Sequence, residues 1–197
     1  MENRREHLTS GLSPAEVGSG PLLQRDYWAK LRRTDLRPSQ IATELKRHFA
    51  SFAPAHLAAF AARAPHALRV GDELDIQIAG AGDCRVRVVH CDAQSVTLAT
   101  VAGHPEAGRI TFGAYRDEDG GVIFHIRSRA RSDSTLRRVG FVLLGEPMQT
   151  NTWTDFISRV AALCNAEVQG GVHAETQEIP DEDDGPVERP TFLSRGD

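Results

Sequence analysis

Between Gly103 and Gly108 stand His104, Pro105 and Glu106. An imidazole and a carboxylate two residues apart are the parts of a general acid/base pair, and Pro105 stiffens the backbone that presents them. No nucleophile or third polar group is spaced recognisably with them, and a metal ion needs more ligands than this segment supplies, so no metal is expected. The same residues equally build a tight turn, because glycine and proline are what turns demand. His104 and Glu106 are therefore candidate catalytic residues and, at the mouth of a cavity, candidate ligand contacts.

Three further polar residues, His90, Thr100 and Ser128, fall on even-numbered positions that are otherwise apolar. Isolated polar groups in an apolar pocket orient a bound molecule. They also bond neighbouring backbone groups, and that alternative stands beside the first. Phe112, Phe124 and Trp153 would line such a pocket, or build core if there is none. A basic row, His125, Arg127, Arg129 and Arg131, alternates with these positions, and Arg137 and Arg138 follow closely. It suits phosphate, an anionic membrane surface or a protein partner, or it is simply the solvated face of a sheet. No RNA-binding aromatic pattern or helix-turn-helix signature accompanies the arginines, so nucleic acid is not the expected partner. The Gly-Ser-Gly at 18–20 and Gly-Ala-Gly at 80–82 lack the Gly-Lys-Ser/Thr of a phosphate loop, and no cofactor is expected.

The elements that would position these residues follow from periodicity. Tyr27, Ala29 and Leu31 share one side of a strand. Ile41, Leu45, Phe49 and Phe52 lie at helical spacing behind Pro38, which suits a first turn. An alanine-rich segment at about 55–64 is expected to form a second helix, with Leu57, Phe60 and Ala61 buried. From Leu68 the pattern becomes period two, with apolar residues at 68 and 70, 74–78, 86 and 88, 96 and 98, 110–114 and 122–126, every one even-numbered. Such parity predicts an antiparallel meander with one apolar face. Pairing Leu98 with Ala114, and Thr100 with Phe112, makes residues 104–108 a five-residue hairpin loop closed by Gly108. On the other face Glu73, Asp75 and Gln77 meet Arg85 and Arg87. Leu136, Val139 and Leu143 are helically spaced up to Gly145 and Pro147. Trp153, Phe156, Ile157, Val160 and Cys164 then predict an amphipathic helix capped by Asn151 or Thr152, the cover for the apolar face.

At 197 residues, with 40% hydrophobic and 25% charged residues, the chain is sized and composed for one ordinary globular domain with tails. Its net charge of −4 is unevenly placed: residues 170–197 hold eight acids against two arginines, which leaves a slight positive balance elsewhere. The expected organisation is a flexible N-terminal segment at 1–21, a folded domain at 22–168 and an acidic disordered tail at 169–197. The tail is a candidate to fold back onto the Arg127/Arg129/Arg131 row or to meet a protein partner. Three cysteines without metal-type spacing, no signal-peptide core and no apolar run of membrane-spanning length predict a cytoplasmic protein with no membrane span.

The order of strand, helices, antiparallel meander and final helix is similar to the helix-grip architecture of START and birch-pollen-allergen-like proteins. The stretch "CRVRVVHCDAQSVTLATVAGHPEAGRITFGAYRDEDGGVIFHIRSRAR" resembles a bacterial and plant family of unknown function bearing a Gly-His-Pro-Glu turn. The resemblance covers roughly residues 68–160. It implies an α+β helix-grip fold, a curved antiparallel β-sheet wrapped around a long C-terminal helix, with a cavity able to hold a small hydrophobic molecule. Ligand contacts would then come from His90, Thr100, His104, Glu106, Phe112, Phe124, Ser128 and Trp153. Two alternatives remain open: an enzyme acting on a cavity-bound substrate through His104 and Glu106, and a protein-interaction module with a filled core.

Overall fold

The computed structural model of the chain describes residues 6, 8–53, 58–62, 66–78, 82–132, 145–192 and 197. Eight strands form one antiparallel sheet: β1 (Ser19–Arg32), β2 (Ala58–Ala62), β3 (Glu73–Ile78), β4 (Gly82–Cys91), β5 (Ser95–Thr100), β6 (Glu106–Arg116), β7 (Val122–Ser132) and β8 (Glu167–Glu178). Their order across the sheet is β2–β3–β4–β5–β6–β7–β1–β8. Two helices, α1 (Pro38–Phe52) and α2 (Gly145–Leu163), cover one face of the curved sheet. This is the helix-grip arrangement.

Strand parity decides which face is covered. Leu74, Ile76, Val86, Val88, Val96, Leu98, Phe112, Ala114, Val122, Phe124 and Ile126 are buried with Tyr27, Ala29 and Leu31 of β1 in one core. The helices complete it with Ile41, Leu45, Phe49 and Phe52 from α1 and Phe156, Ile157 and Val160 from α2. On the outer face Glu73 pairs with Arg87 at 2.7 Å and with Arg85 at 3.2 Å, the cross-strand charges expected there.

Four expectations are corrected. The alanine-rich segment is not a helix: residues 58–62 are strand β2, with Phe60 opposite Ile76. Alanine favours a helix, but so short a segment cannot repay helix nucleation, and pairing with β3 satisfies its backbone instead. Helix α2 starts at Gly145, upstream of the expected cap, and runs through Pro147 because the first turn needs no N–H there. The helical spacing of Leu136–Leu143 falls outside the described residues. The β5–β6 register also differs, since Leu98 faces Ile110 rather than Ala114. The N-terminal segment causes this: Ser13 donates to the Thr100 carbonyl and accepts from the Gly108 amide, both at 2.8 Å, and so occupies the gap between the strands. Parity survives the slip because it spans an even number of residues.

The fourth correction concerns the ends. Residues 12–18, expected as flexible, bridge to Val101 through Leu12 and form a 3-10 turn at Ala15–Val17. Residues 169–197, expected as a disordered tail, begin within β8, which pairs along β1 from Arg32 to Leu23. The stretch Asp181–Phe192 then crosses the outer face of β6 and β7 as a strap. Arg109 and Asp184 form an ion pair of 2.8 Å, both nearly buried; Arg131 donates to the Asp181 carboxylate, and Arg129 to the backbone carbonyl of Asp183. Thr191 donates its amide to Thr111 Oγ1 (2.8 Å) and its hydroxyl to the Arg127 carbonyl (2.9 Å). The acidic segment thus meets the basic row of its own sheet, as charge complementarity predicts.

Candidate functional site

The Gly-His-Pro-Glu turn separates its two candidate groups. His104 is buried, and its Nδ1 lies 3.0 Å from both the amide nitrogen and the carbonyl oxygen of Glu106, so either tautomer closes the turn. The Glu106 carboxylate, at the start of β6, instead faces inward and pairs with Arg25 at 3.3 Å. An imidazole bonded to the backbone and a carboxylate bonded to an arginine are not an acid/base couple.

Thr100 serves the backbone as well. Its Oγ1 lies 2.7 Å from the Ser13 carbonyl and accepts the Gly108 amide at 3.0 Å, which ties the N-terminal segment to β6. His90 leaves the inner face altogether. A bulge at Val89 shifts the β4–β5 register, so that His90 opposes Thr97 and Cys91 takes the core side opposite Val96. His90 Nε2 then meets Asp92 at 3.2 Å in a half-exposed pair.

The other candidates do converge. Phe112 and Phe124 are fully buried on the inner face, and Trp153 of α2 stands edge-on to Phe112 with ring centroids 5.5 Å apart. Ser128 lies one row further along, between Arg25 of β1 and Ile110 of β6. Here the apolar face changes character. Tyr27, Ile126, Phe112 and Val96 form a buried apolar row; the next is Arg25, Ser128, Ile110 and Leu98, in which Ile110 is only half-buried. Trp153 is half-buried as well. Among the described residues the arrangement is an apolar floor leading to a row with the Arg25 cation, the Glu106 carboxylate and the Ser128 hydroxyl. Phe49, Trp153 and Phe156 pack on Phe112 from the helices.

Periodicity missed Arg25 and Ile110 as site residues, although the signal for Arg25 was present: it shares parity with Tyr27, Ala29 and Leu31. A second missed cluster lies under the strap. Asp26 accepts from His125 Nε2 and Arg127 Nε, each at 2.6 Å, and from Gln24 at 3.0 Å, while His125 Nδ1 meets the Tyr115 hydroxyl at 3.2 Å. Phe192 stacks on His125 with centroids 4.4 Å apart. Burial alone would raise the Asp26 carboxyl, but the bonds from His125 and Arg127 outweigh it, and its pKa lies below the ordinary carboxylate value. Asp184 goes the other way, since burial outweighs Arg109 and raises it. Among the described residues no three His, Cys, Asp or Glu side chains are grouped to hold a metal ion, and no helix is long and apolar enough to cross a membrane.

Comparison with known proteins agrees with this architecture. A family described as "Domain of unknown function (DUF1990)" matches residues 34–159. No curated protein matches the chain. Among solved structures, a norcoclaurine synthase of Thalictrum flavum, a point mutant in complex with a transition-state analogue, superposes with a TM-score of 0.53 at 10% identity, over 75% of this chain and 97% of that one. The di-domain ARO/CYC StfQ of the steffimycin biosynthetic pathway reaches 0.50 at 10% identity, over 73% of this chain and 51% of that one. Major latex-like protein 151 of Panax ginseng reaches 0.48 at 15% identity, over 74% and 99%.

Proposed function

Because the chain belongs to the family described as a domain of unknown function, DUF1990, and shares its fold with small-molecule enzymes, we propose that it binds a small, largely apolar molecule. The molecule lies between the inner face of the sheet and helix α2. One observation carries this reading: the buried apolar floor ends in a row where Ile110 and Trp153 are half-buried and Arg25, Ser128 and Glu106 stand beside them. A face built only to be filled would continue with apolar residues there. The norcoclaurine synthase, solved with a transition-state analogue, supports a small-molecule occupant for a sheet of this shape.

Native mass spectrometry and titration with an environment-sensitive apolar dye test the proposal. A co-purifying small molecule or saturable uptake of one dye per chain is expected, and Ile110→Trp should weaken uptake about tenfold by filling the rim. A chain that carries nothing and takes up no dye has a filled core, which rules the reading out. Catalysis by His104 and Glu106 has no support in their geometry, because each group already serves a different partner.

A further inference from the structure

Resting on that binding site, we infer that its ligand is an amphipathic carboxylate, and that Arg25 receives the carboxylate. Arg25 lies on the inner face of β1, two residues from Tyr27, with Ser128 of β7 on one side and Thr176 of β8 on the other. Its side chain is 9% exposed, yet among the described residues its ion pair is one 3.3 Å contact from Nη1 to Glu106. Its Nε is buried and has no hydrogen-bond partner. An arginine stays charged in any such setting, and buried donors are nearly always satisfied. Leaving Nε bare on an apolar face is therefore an anomaly that a ligand would resolve.

The shape of the group selects the chemistry. Nε and the adjacent Nη present two parallel N–H bonds, the fork that a planar carboxylate accepts with both oxygens. Glu106 bonds Nη1 alone and leaves the Nε edge bare. The body of the ligand must be apolar, because the neighbouring row is Tyr27, Ile126 and Phe112, about 7 Å away at two residues of strand rise. Half-buried Ile110 and Trp153 flank that path. Since Glu106 already balances Arg25, the fit is to a monoanion rather than to a doubly charged head.

Arg25 also precedes the stretch that matches the family, residues 34–159. Its strand is held between β7 and β8, so the head-group contact would come from outside the matched stretch.

Calorimetric titration with chain-matched probes tests the inference: decanoate, decanol, decylamine and decyl phosphate at neutral pH. Decanoate should bind at least tenfold more tightly than decanol, and decylamine most weakly. Arg25→Met should abolish the preference while leaving decanol within about threefold of its original affinity, and Glu106→Gln should enlarge it. Equal affinity of the unaltered protein for decanoate and decanol, or tighter binding of decyl phosphate, overturns the carboxylate assignment. A preference that survives in Arg25→Met overturns the role of Arg25. The probe comparison in the unaltered protein stands even if that variant does not fold. Failure of every probe to bind overturns the site reading along with the inference, an outcome separable from equal binding of acid and alcohol.

Discussion

Asp26 shows how much a single outward-facing residue of β1 decides. Three side chains donate to its carboxylate, and all lie on the face of the sheet that sequence periodicity assigns to solvent. Its lowered pKa has a definite sign for stability: the contribution is present above the ordinary carboxylate value and is lost as pH falls through the lowered one. Asp26→Asn should therefore cost about 3–5 kcal/mol at neutral pH, the usual result of stripping one partner from a buried charged network. It should also flatten the loss of stability on acidification, as read from urea midpoints at several pH values. An unchanged acid limb would assign that limb to other carboxylates, such as Asp92 and Asp117, whose pKa values also lie low. The cysteines behave in the opposite sense. Burial pushes the thiols of Cys84, Cys91 and Cys164 up to about 11, which keeps them protonated and inert near neutrality.

Among the elements, the turn before β6 and the start of that strand each hold a glycine, with different tolerances. Gly103 has φ +92° and open space around it, whereas a Cβ at Gly108, with φ +151°, would stand 2.2 Å from the Arg129 carbonyl oxygen and 2.7 Å from Ala130 Cα. Gly103→Ala should cost about 1 kcal/mol and Gly108→Ala about 3 kcal/mol or more, since the second combines strain with overpacking against backbone. Thermal midpoints of the two variants check the order. The strap is the other element with a sharp consequence. A chain ending at Ile179 should make Arg109, now 3% exposed, and Arg129 reactive towards phenylglyoxal, while β1 remains paired with β8. Unchanged arginine reactivity would mean that the strap does not shield them. Much of this level was legible in advance. The inner residues of β1, β3, β5, β6 and β7 follow from parity, because a two-residue repeat survives any even slip. His90 and the β5–β6 partners were not legible, because a bulge at Val89 and an inserted Ser13 act through contacts distant in sequence. For the same reason the inward turn of Glu106 was readable only once Arg25 was in view, 81 residues away.

For the molecule as a whole, the sheet has an unusual assembly order. β1 is an interior strand, yet both of its neighbours are distant in sequence: Tyr27 faces Ile126 of β7 and Ala174 of β8. In synthesis β1 precedes both: the β2–β6 segment and α1 come between it and β7, and α2 comes between β7 and β8. Until β7 is made, Tyr27, Ala29 and Leu31 have no strand to pair with, and α2, which covers them, comes later still. Contacts of such long range place folding on the slow side, in milliseconds to seconds, because loop closure must precede pairing. The β3–β7 meander, built from neighbouring strands, is free to form earlier and to wait as a template. Completion of the grip thus waits until α2 and β8 have followed the meander, so β1 keeps at least one bare edge while everything between it and β8 is made, a state that chaperones are suited to shield.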